Sequence, residues 1–466
     1  MMPDLRPYQL RAVDAVRRLI RDGSRAPLLV APTGAGKTVI MAHVVASAVA
    51  KGRRVVVVAH RRELIEQIDA AMRSVWLQAG IIAPWARPNP FAPVQVASVQ
   101  TLVRRPSMPH CDLLIIDEAH HTTRDNQWGA VIDMLDPRHT LGLTATPVRT
   151  DGQGLGVAAG GLYDAMEVVT TTAELVEQGY LARPVVYAPA VLPDMGGVRV
   201  ERGDYSKGQA AAAMGTARVM GDAVAHYKRL CPGARAVAFG VSIQHCQTIA
   251  ESFRDAGVTA EVLDGQYGPF ERREILDRLR AGVTKVVVSC DLIGEGFDLP
   301  AIEAAILLRP TISTALYLQQ VGRALRPAPG KDRAIILDHA GNTLRHGMPT
   351  DDREWSLMGE DEAIRRAKRK PDPDAMPIWL CEQCGAYTPS TERACEGCGA
   401  ERPYMGREVE VEAGELVEIT APPKRSDLER GRARTLEQLE RIERERGYKP
   451  GWARHVWRAR AAKGGM

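Results

Sequence analysis

The residues best suited to chemistry are gathered first in eight positions, Ala31-Pro32-Thr33-Gly34-Ala35-Gly36-Lys37-Thr38. Gly34 and Gly36 let backbone N–H groups turn toward an anion, Lys37 reaches outer phosphates, and Thr38 is placed to hold Mg²⁺. Such a cradle needs a buried strand before it and a helix after it. Leu28-Leu29-Val30 precedes it, and a helix-forming run opens at Val39. A second apolar run, Leu113-Leu114-Ile115-Ile116, delivers Asp117-Glu118-Ala119-His120 at its carboxyl end, where ligands of open parallel sheets bind. Asp117 is expected to hold the metal through water, and Glu118 to orient and deprotonate an attacking water, which turns a binding site into a hydrolase. Farther along, Ser313 is expected to cap a helix on which Gln319, Arg323 and Arg326 share one face. Arginines there suit fingers on a γ-phosphate, in a site completed only when two halves of the chain close. Gly322 interrupts that helix at a cost of about 0.5 to 1 kcal/mol relative to alanine, so something is expected to approach its backbone closely.

Two series of buried strands position these groups. Runs at Leu28 to Ala31, Val55 to Ala59, Val94 to Ala97, Leu113 to Asp117 and Thr140 to Thr144 alternate with helical stretches, the pattern of a parallel sheet covered on both faces. The pattern repeats at Arg235 to Gly240, Thr259 to Leu263, Lys285 to Cys290, Ala304 to Leu308 and Ala334 to Asp338. The fold class is therefore α/β: two similar lobes in tandem, residues 1–183 and 184–350, with the nucleotide between them. A helix over 172 to 179, followed by Gly179-Tyr180-Leu181-Ala182-Arg183-Pro184, is expected to carry the chain out of the first lobe. Gly152 to Gly161 and Pro193 to Gly208 read as loops or small insertions without an assigned role.

The remainder divides into a linker (351–376) containing Lys370-Pro371-Asp372-Pro373-Asp374, a cysteine module (377–404) and a tail (405–466). Cys111, Cys231, Cys246 and Cys290 lie in apolar surroundings and read as core thiols. Cys381, Cys384, Cys395 and Cys398 form two Cys-x₂-Cys-Gly turns, a spacing that predicts a closed, structural Zn²⁺ site, with disulfides as the alternative. The start Met1-Met2-Pro3-Asp4 is not that of a signal peptide, and no apolar run reaches the ~18 residues needed to span a bilayer. A cytoplasmic protein with no membrane partner is the expectation. The net charge is only +4. Lys and Arg nonetheless outnumber Asp and Glu roughly two to one from Ala421 onward, so the basic excess is in the tail. Its first part, Leu428 to Arg446, alternates acids and arginines like a solvated helix. Its end interleaves Lys449, Trp452, Arg454, Trp457 and Arg458, a mixture that suits stacking on unpaired bases beside phosphates, docking a partner protein, or packing within the chain.

The order of motifs resembles a superfamily 2 helicase of the DEAH-box kind. Arg6-Pro7-Tyr8-Gln9 resembles the adenine-reading Q motif, Ala31 to Thr38 motif I, His60-Arg61-Arg62-Glu63-Leu64 motif Ia, Val96 to Thr101 motif Ib, Asp117 to His120 motif II and Thr144-Ala145-Thr146 motif III. Ala238-Phe239-Gly240 resembles motif IV, Gly294-Glu295-Gly296-Phe297-Asp298 motif V, and Gln319 to Arg326 motif VI. Motif III departs from the usual serine by starting with Thr144, which keeps the hydroxyl. The form of motifs III and V, the four cysteines and Gly447-Tyr448-Lys449-Pro450-Gly451-Trp452 are most similar to RadD-like DNA-repair helicases. The resemblance implies ATP hydrolysis with Arg6, Gln9, Gly296 and Asp298 on the nucleotide, and strand contacts at Arg62, Thr101 and Gly265. It also implies single-stranded or branched DNA as partner, with a single-stranded-DNA-binding protein as a further one. An RNA helicase, or a zinc-bearing annealing protein that uses ATP as a switch, remains open at this point.

Overall fold

The computed structural model describes residues 4–149, 152–189, 195, 198–201, 204–214, 217–290, 302–359, 378–380, 387–389, 416–419, 436–446, 452–454 and 457. The chain divides into two units, residues 1–365 with 413–420, and residues 366–412 with 421–466. Among the described residues, no helix is long and apolar enough to cross a membrane.

The first unit holds two seven-stranded sheets. The first is built from β1 (Pro27–Val30), β2 (Val55–Ala59), β3 (Gly80–Ile82), β4 (Val94–Ser98), β5 (Leu113–Asp117), β6 (His139–Thr144) and β7 (Ala165–Val168), in the order β3-β4-β2-β5-β6-β1-β7 and parallel throughout. Strand side chains alternate between two apolar layers: Leu29, Val57 and Ile115 enter one, and Leu28, Val56 and Leu114 the other. Burial on both faces explains why these strands read as unbroken apolar runs.

The second sheet contains β8 (Arg183–Pro189), then, after a short hairpin of β9 (Val200–Glu201) and β10 (Asp204–Tyr205), β11 (Ala236–Phe239), β12 (Ala260–Val262), β13 (Val286–Ser289), β14 (Ala304–Leu307) and β15 (Arg333–Asp338). β16 (Ile378–Leu380) and β17 (Tyr387–Pro389) pair with each other in the second unit. The next strand, β18 (Leu416–Ile419), returns to the second sheet, whose order is β12-β13-β11-β14-β15-β8-β18. β18 is antiparallel to β8, and the other pairings are parallel. Residues 416–419 are thus a correction to the tail expected over 405–466: this short strand covers what would otherwise be an open edge of β8. Within the stretch Leu428 to Arg446 expected as a solvated helix, Leu436–Arg446 is helical, and it buries Leu439 on one face.

The two segments without an expected role both serve as docks. In the first, Gly156 N–H donates to Leu357 O (2.9 Å), and Gln153 bridges Gly359. A Cβ on Gly154 would lie 2.2 Å from Leu357 O, so glycine is required for residues 357–359 to lie against this loop. In the second, Asp204 on the hairpin accepts from Ile312 N–H (2.9 Å) and Thr311 Oγ1 (2.9 Å), with Arg309 Nη2 at 3.7 Å. Those three residues lead into the helix Thr314–Leu325, whose start Ser313 caps by accepting from Leu316 N–H (3.3 Å).

Candidate active site

Parallel register brings three strand ends together. β6 lies between β1 and β5, with Val30 opposite Thr144 and Asp117 opposite Leu143. The phosphate cradle, the acid pair and the Thr144 turn therefore stand side by side. Gly34 and Gly36 adopt φ of 88° and 79°, open to glycine without strain, and the helix Lys37–Val49 starts directly after them. Glu118 adopts φ 53° and ψ 52°, an uncommon conformation for a residue other than glycine and one that marks functional sites.

A cleft of about 320 Å³ is lined from the first lobe by Arg6, Thr33, Gly34, Gly36, Lys37, Thr38, Asp117 and Glu118, and from the second by Gln319, Arg323 and Arg326. Lys37 Nζ donates to Ala31 O (3.3 Å). Glu118 Oε2 is buried without a hydrogen-bond partner, with His120 Nδ1 at 3.5 Å. His120 Nδ1 in turn lies 3.0 Å from Thr144 Oγ1. The hydroxyl retained at position 144 thus links the acid pair to the third strand end.

Gln9 and Ala35 do not line this cleft. Gln9 is buried: its Oε1 accepts from Arg6 N–H (3.0 Å), and its Nε2 donates to Ala35 O (3.1 Å), which also accepts from Tyr8 Oη (2.8 Å). Its amide braces the cradle from behind. Arg326 lies one position past the helix Thr314–Leu325, with extended backbone (φ −59°, ψ 134°), because Pro327 disfavours a helical residue before it. It still reaches the same cleft as Gln319 and Arg323. Gly296 and Asp298 lie outside the described residues.

Three contributors escaped the sequence reading. Tyr180 lines the cleft with Gln67, and the Arg6 guanidinium sits 4.3 Å from the Tyr180 ring centroid. Lys331 Nζ donates to Ile302 O (2.5 Å), Arg326 O (2.6 Å) and Ala324 O, holding the carboxyl end of the arginine helix. Burial pulls the Lys331 ammonium down to about 8. An aromatic beside a glycine turn could have flagged Tyr180; nothing local flags Lys331.

The expected strand contacts fall beside this site. Arg62 and Thr101 line one cleft of the first lobe at the ends of β2 and β4. Gln100 ties the two segments by donating to His60 O (3.1 Å). Gly265, in the second lobe, has open space over its Cα, and its carbonyl accepts from Arg272 Nη2 (3.1 Å), while Arg272 Nη1 pairs with Glu63 of the first lobe (3.2 Å).

In the second unit, Trp452 and Trp457 are half-buried against Leu439 and Ala453, and Arg454 Nε lies 3.6 Å from Glu440 Oε1. The packing within the chain that the sequence left open is therefore the arrangement of these indoles here. Lys449 and the four cysteines Cys381, Cys384, Cys395 and Cys398 lie outside the described residues. Cys111, Cys231 and Cys246 are buried, and Cys290 is half-buried.

Comparison with known proteins agrees with this geometry. Residues 2–149 match the family described as "Type III restriction enzyme, res subunit", and residues 223–328 match "Helicase conserved C-terminal domain". A 51.5 kDa protein of a Lactococcus phage is 30% identical over 372 residues, covering 80% of this chain and 77% of the phage protein. The DNA 3'-5' helicase XPB of Kineococcus radiotolerans is 27% identical over 342 residues, 69% of this chain and 57% of the relative. Among solved structures, the ATP-dependent Type ISP restriction-modification enzyme LlaBIII bound to DNA shares the fold with a TM-score of 0.52 at 16% identity, over 79% of this chain and 29% of that one.

Proposed function

Because the chain belongs to the superfamily 2 helicases, we propose that it hydrolyses ATP to move along or separate strands of DNA. The observation that carries this reading is the single cleft shared by Lys37, Thr38, Asp117 and Glu118 from one lobe and Gln319, Arg323 and Arg326 from the other. In this reading Lys37 neutralises the outer phosphates, while Arg6 and Tyr180 flank the base. Thr38 and Asp117 are the residues that would hold Mg²⁺, and the buried Glu118 Oε2, which accepts no hydrogen bond and has only the His120 ring 3.5 Å away, fits a site built around charge not yet present. The metal supplies charge neutralisation between the phosphates when bound. Glu118 takes the proton of the attacking water, and Arg323 and Arg326 stabilise charge developing on the transferred group. Hydrolysis thereby depends on how the lobes meet, and lobe closure shifts the grips at Arg62 and Thr101 relative to Gly265.

DNA as the partner follows the relatives and the RadD-like motifs, and work on single-stranded or branched DNA in repair fits both. Four cysteines at zinc-knuckle spacing support a structural Zn²⁺ in 377–404, and the basic tail supports a further contact with DNA or a single-stranded-DNA-binding protein. The test is the ATPase rate against single-stranded DNA, duplex, forks and RNA, combined with strand displacement with and without ATP. Stimulation by forks together with ATP-dependent displacement is expected. Stimulation without displacement would favour a switch or annealing protein, and stimulation by RNA alone would overturn DNA as the partner.

A further inference from the structure

The connection between β3 and β4 opens with Ala83-Pro84-Trp85-Ala86-Arg87-Pro88-Asn89-Pro90, a chain stiffened by prolines at 84, 88 and 90. Ala86 N–H donates to Ala83 O (3.1 Å), closing a turn with Pro84 and Trp85 at its centre. A rigid turn thus presents a large indole that remains 43% exposed. Trp85 forms one wall of the cleft of about 450 Å³ that holds Arg62 and Thr101, and the Arg62 guanidinium lies 5.0 Å from the indole centroid. Arg104 and Arg105 complete its cationic lining, His60 lines it as well, and no Asp or Glu does. Arg62 Nε is oriented by Glu66 (2.8 Å).

We propose that Trp85 is a base-stacking platform for an unpaired nucleotide of a single strand, with Arg62 and its neighbouring arginines on the flanking phosphates. The inference rests on the reading that a nucleic-acid strand crosses this lobe, and it adds what that strand offers there: the face of a base. The guanidinium over the indole shows that the ring takes a planar group on its face, and a base of comparable size would stack there once Arg62 turns to a flanking phosphate. Paired bases in a duplex do not offer that face, so the platform selects single-stranded over double-stranded segments. The indoles of Trp452 and Trp457, by contrast, are half-buried in the tail's own cluster.

The test is a binding cycle with the full chain, using an oligodeoxythymidylate of about 20 nucleotides and the same backbone with abasic sites, on wild type, Trp85→Ala and Trp85→Phe. Removing one stacked base weakens binding roughly 5- to 100-fold. The expected result is that Trp85→Ala binds the intact strand more weakly by that factor, that the abasic penalty shrinks by the same factor, and that Trp85→Phe restores part of both. The slope of log K against log salt should stay that of wild type, because no phosphate contact is removed. An abasic penalty equal in wild type and Trp85→Ala would overturn the platform while leaving the strand path intact. Wild type that binds neither oligonucleotide would instead overturn the reading beneath it.

Discussion

Thr33 of the phosphate cradle and Gly322 of the arginine helix meet so closely across the lobes that a Cβ on Gly322 would lie 2.6 Å from Thr33 Cβ and 2.9 Å from its Cγ2. The mid-helix glycine is where the second lobe's helix touches the first lobe's nucleotide loop. Gly322→Ala is expected to push the helix outward and lower kcat by about 10²-fold, the scale of a misplacement near 1 Å, even though alanine favours the helix locally. Wild-type kcat in that variant would show that the lobes do not need this approach.

Glu118→Gln should retain ATP binding and lose ~10² or more in turnover, the contribution typical of a water-activating base. Lys37→Ala should instead weaken nucleotide binding itself. Thr144→Ser keeps the hydroxyl that meets His120 and should behave nearly as wild type, whereas Thr144→Val should lower the number of strands displaced per ATP hydrolysed. Equal displacement per ATP in the two Thr144 variants would remove that link from coupling.

Arg323→Ala and Arg326→Ala should each cut kcat strongly with little change in ATP affinity, since a finger acts on transition-state charge. Nucleotide titrations and single-turnover hydrolysis separate the two effects. A loss confined to DNA binding would place these arginines on the strand instead.

His245 offers a pH test of the second lobe. Its Nδ1 accepts from Val241 N–H (3.2 Å), and burial holds the ring down to about 4. The unfolded chain takes up this proton near pH 6.5 and the folded chain only near 4, so the contribution is complete above 6.5 and is lost as pH falls through that window. The stability change should be about 1.4 kcal/mol per pH unit for this one group. His245→Asn, which keeps an acceptor, should flatten urea midpoints between pH 6.5 and 4 by one proton. An unchanged slope would locate the acid sensitivity elsewhere, for instance at the fully buried His339, which burial holds down to about 3.

Metal analysis of the purified protein should give about one Zn²⁺ per chain, and Cys381→Ser with Cys384→Ser should abolish it while ATP binding by the lobes survives. Absence of zinc, with four titratable thiols at these positions, would overturn the zinc proposal.

What could be read from the chain depended on how local its cause was. β2 and β5 were legible to the residue because strands buried on both faces are continuous apolar runs, as at Val55–Ala59 and Leu113–Asp117. β3 and β7 were not, since Gly80–Ile82 and Ala165–Val168 are short or half-exposed and take their conformation from a neighbouring strand. The cradle, the acid pair and the arginines were legible because their spacing is fixed by strand ends and helix pitch. Asp204 and Lys331 were invisible: each acts on backbone groups more than a hundred or several residues away, through contacts only the folded chain creates. The bracing role of Gln9 was hidden for the same reason, since its partner is a carbonyl of the cradle rather than a ligand.

The pairing of β18 with β8 makes the segment 366–412 an excursion whose both ends belong to the first unit. A chain cut after residue 365 would keep every hydrolytic motif yet lack the strand that closes the second sheet. The bare N–H and C=O groups of β8 would then recruit a strand from another copy, so the shortened protein should self-associate more than the full chain. The last strand of the helicase core is encoded after the cysteine module, and the catalytic half of the protein is finished only when that module has already been made.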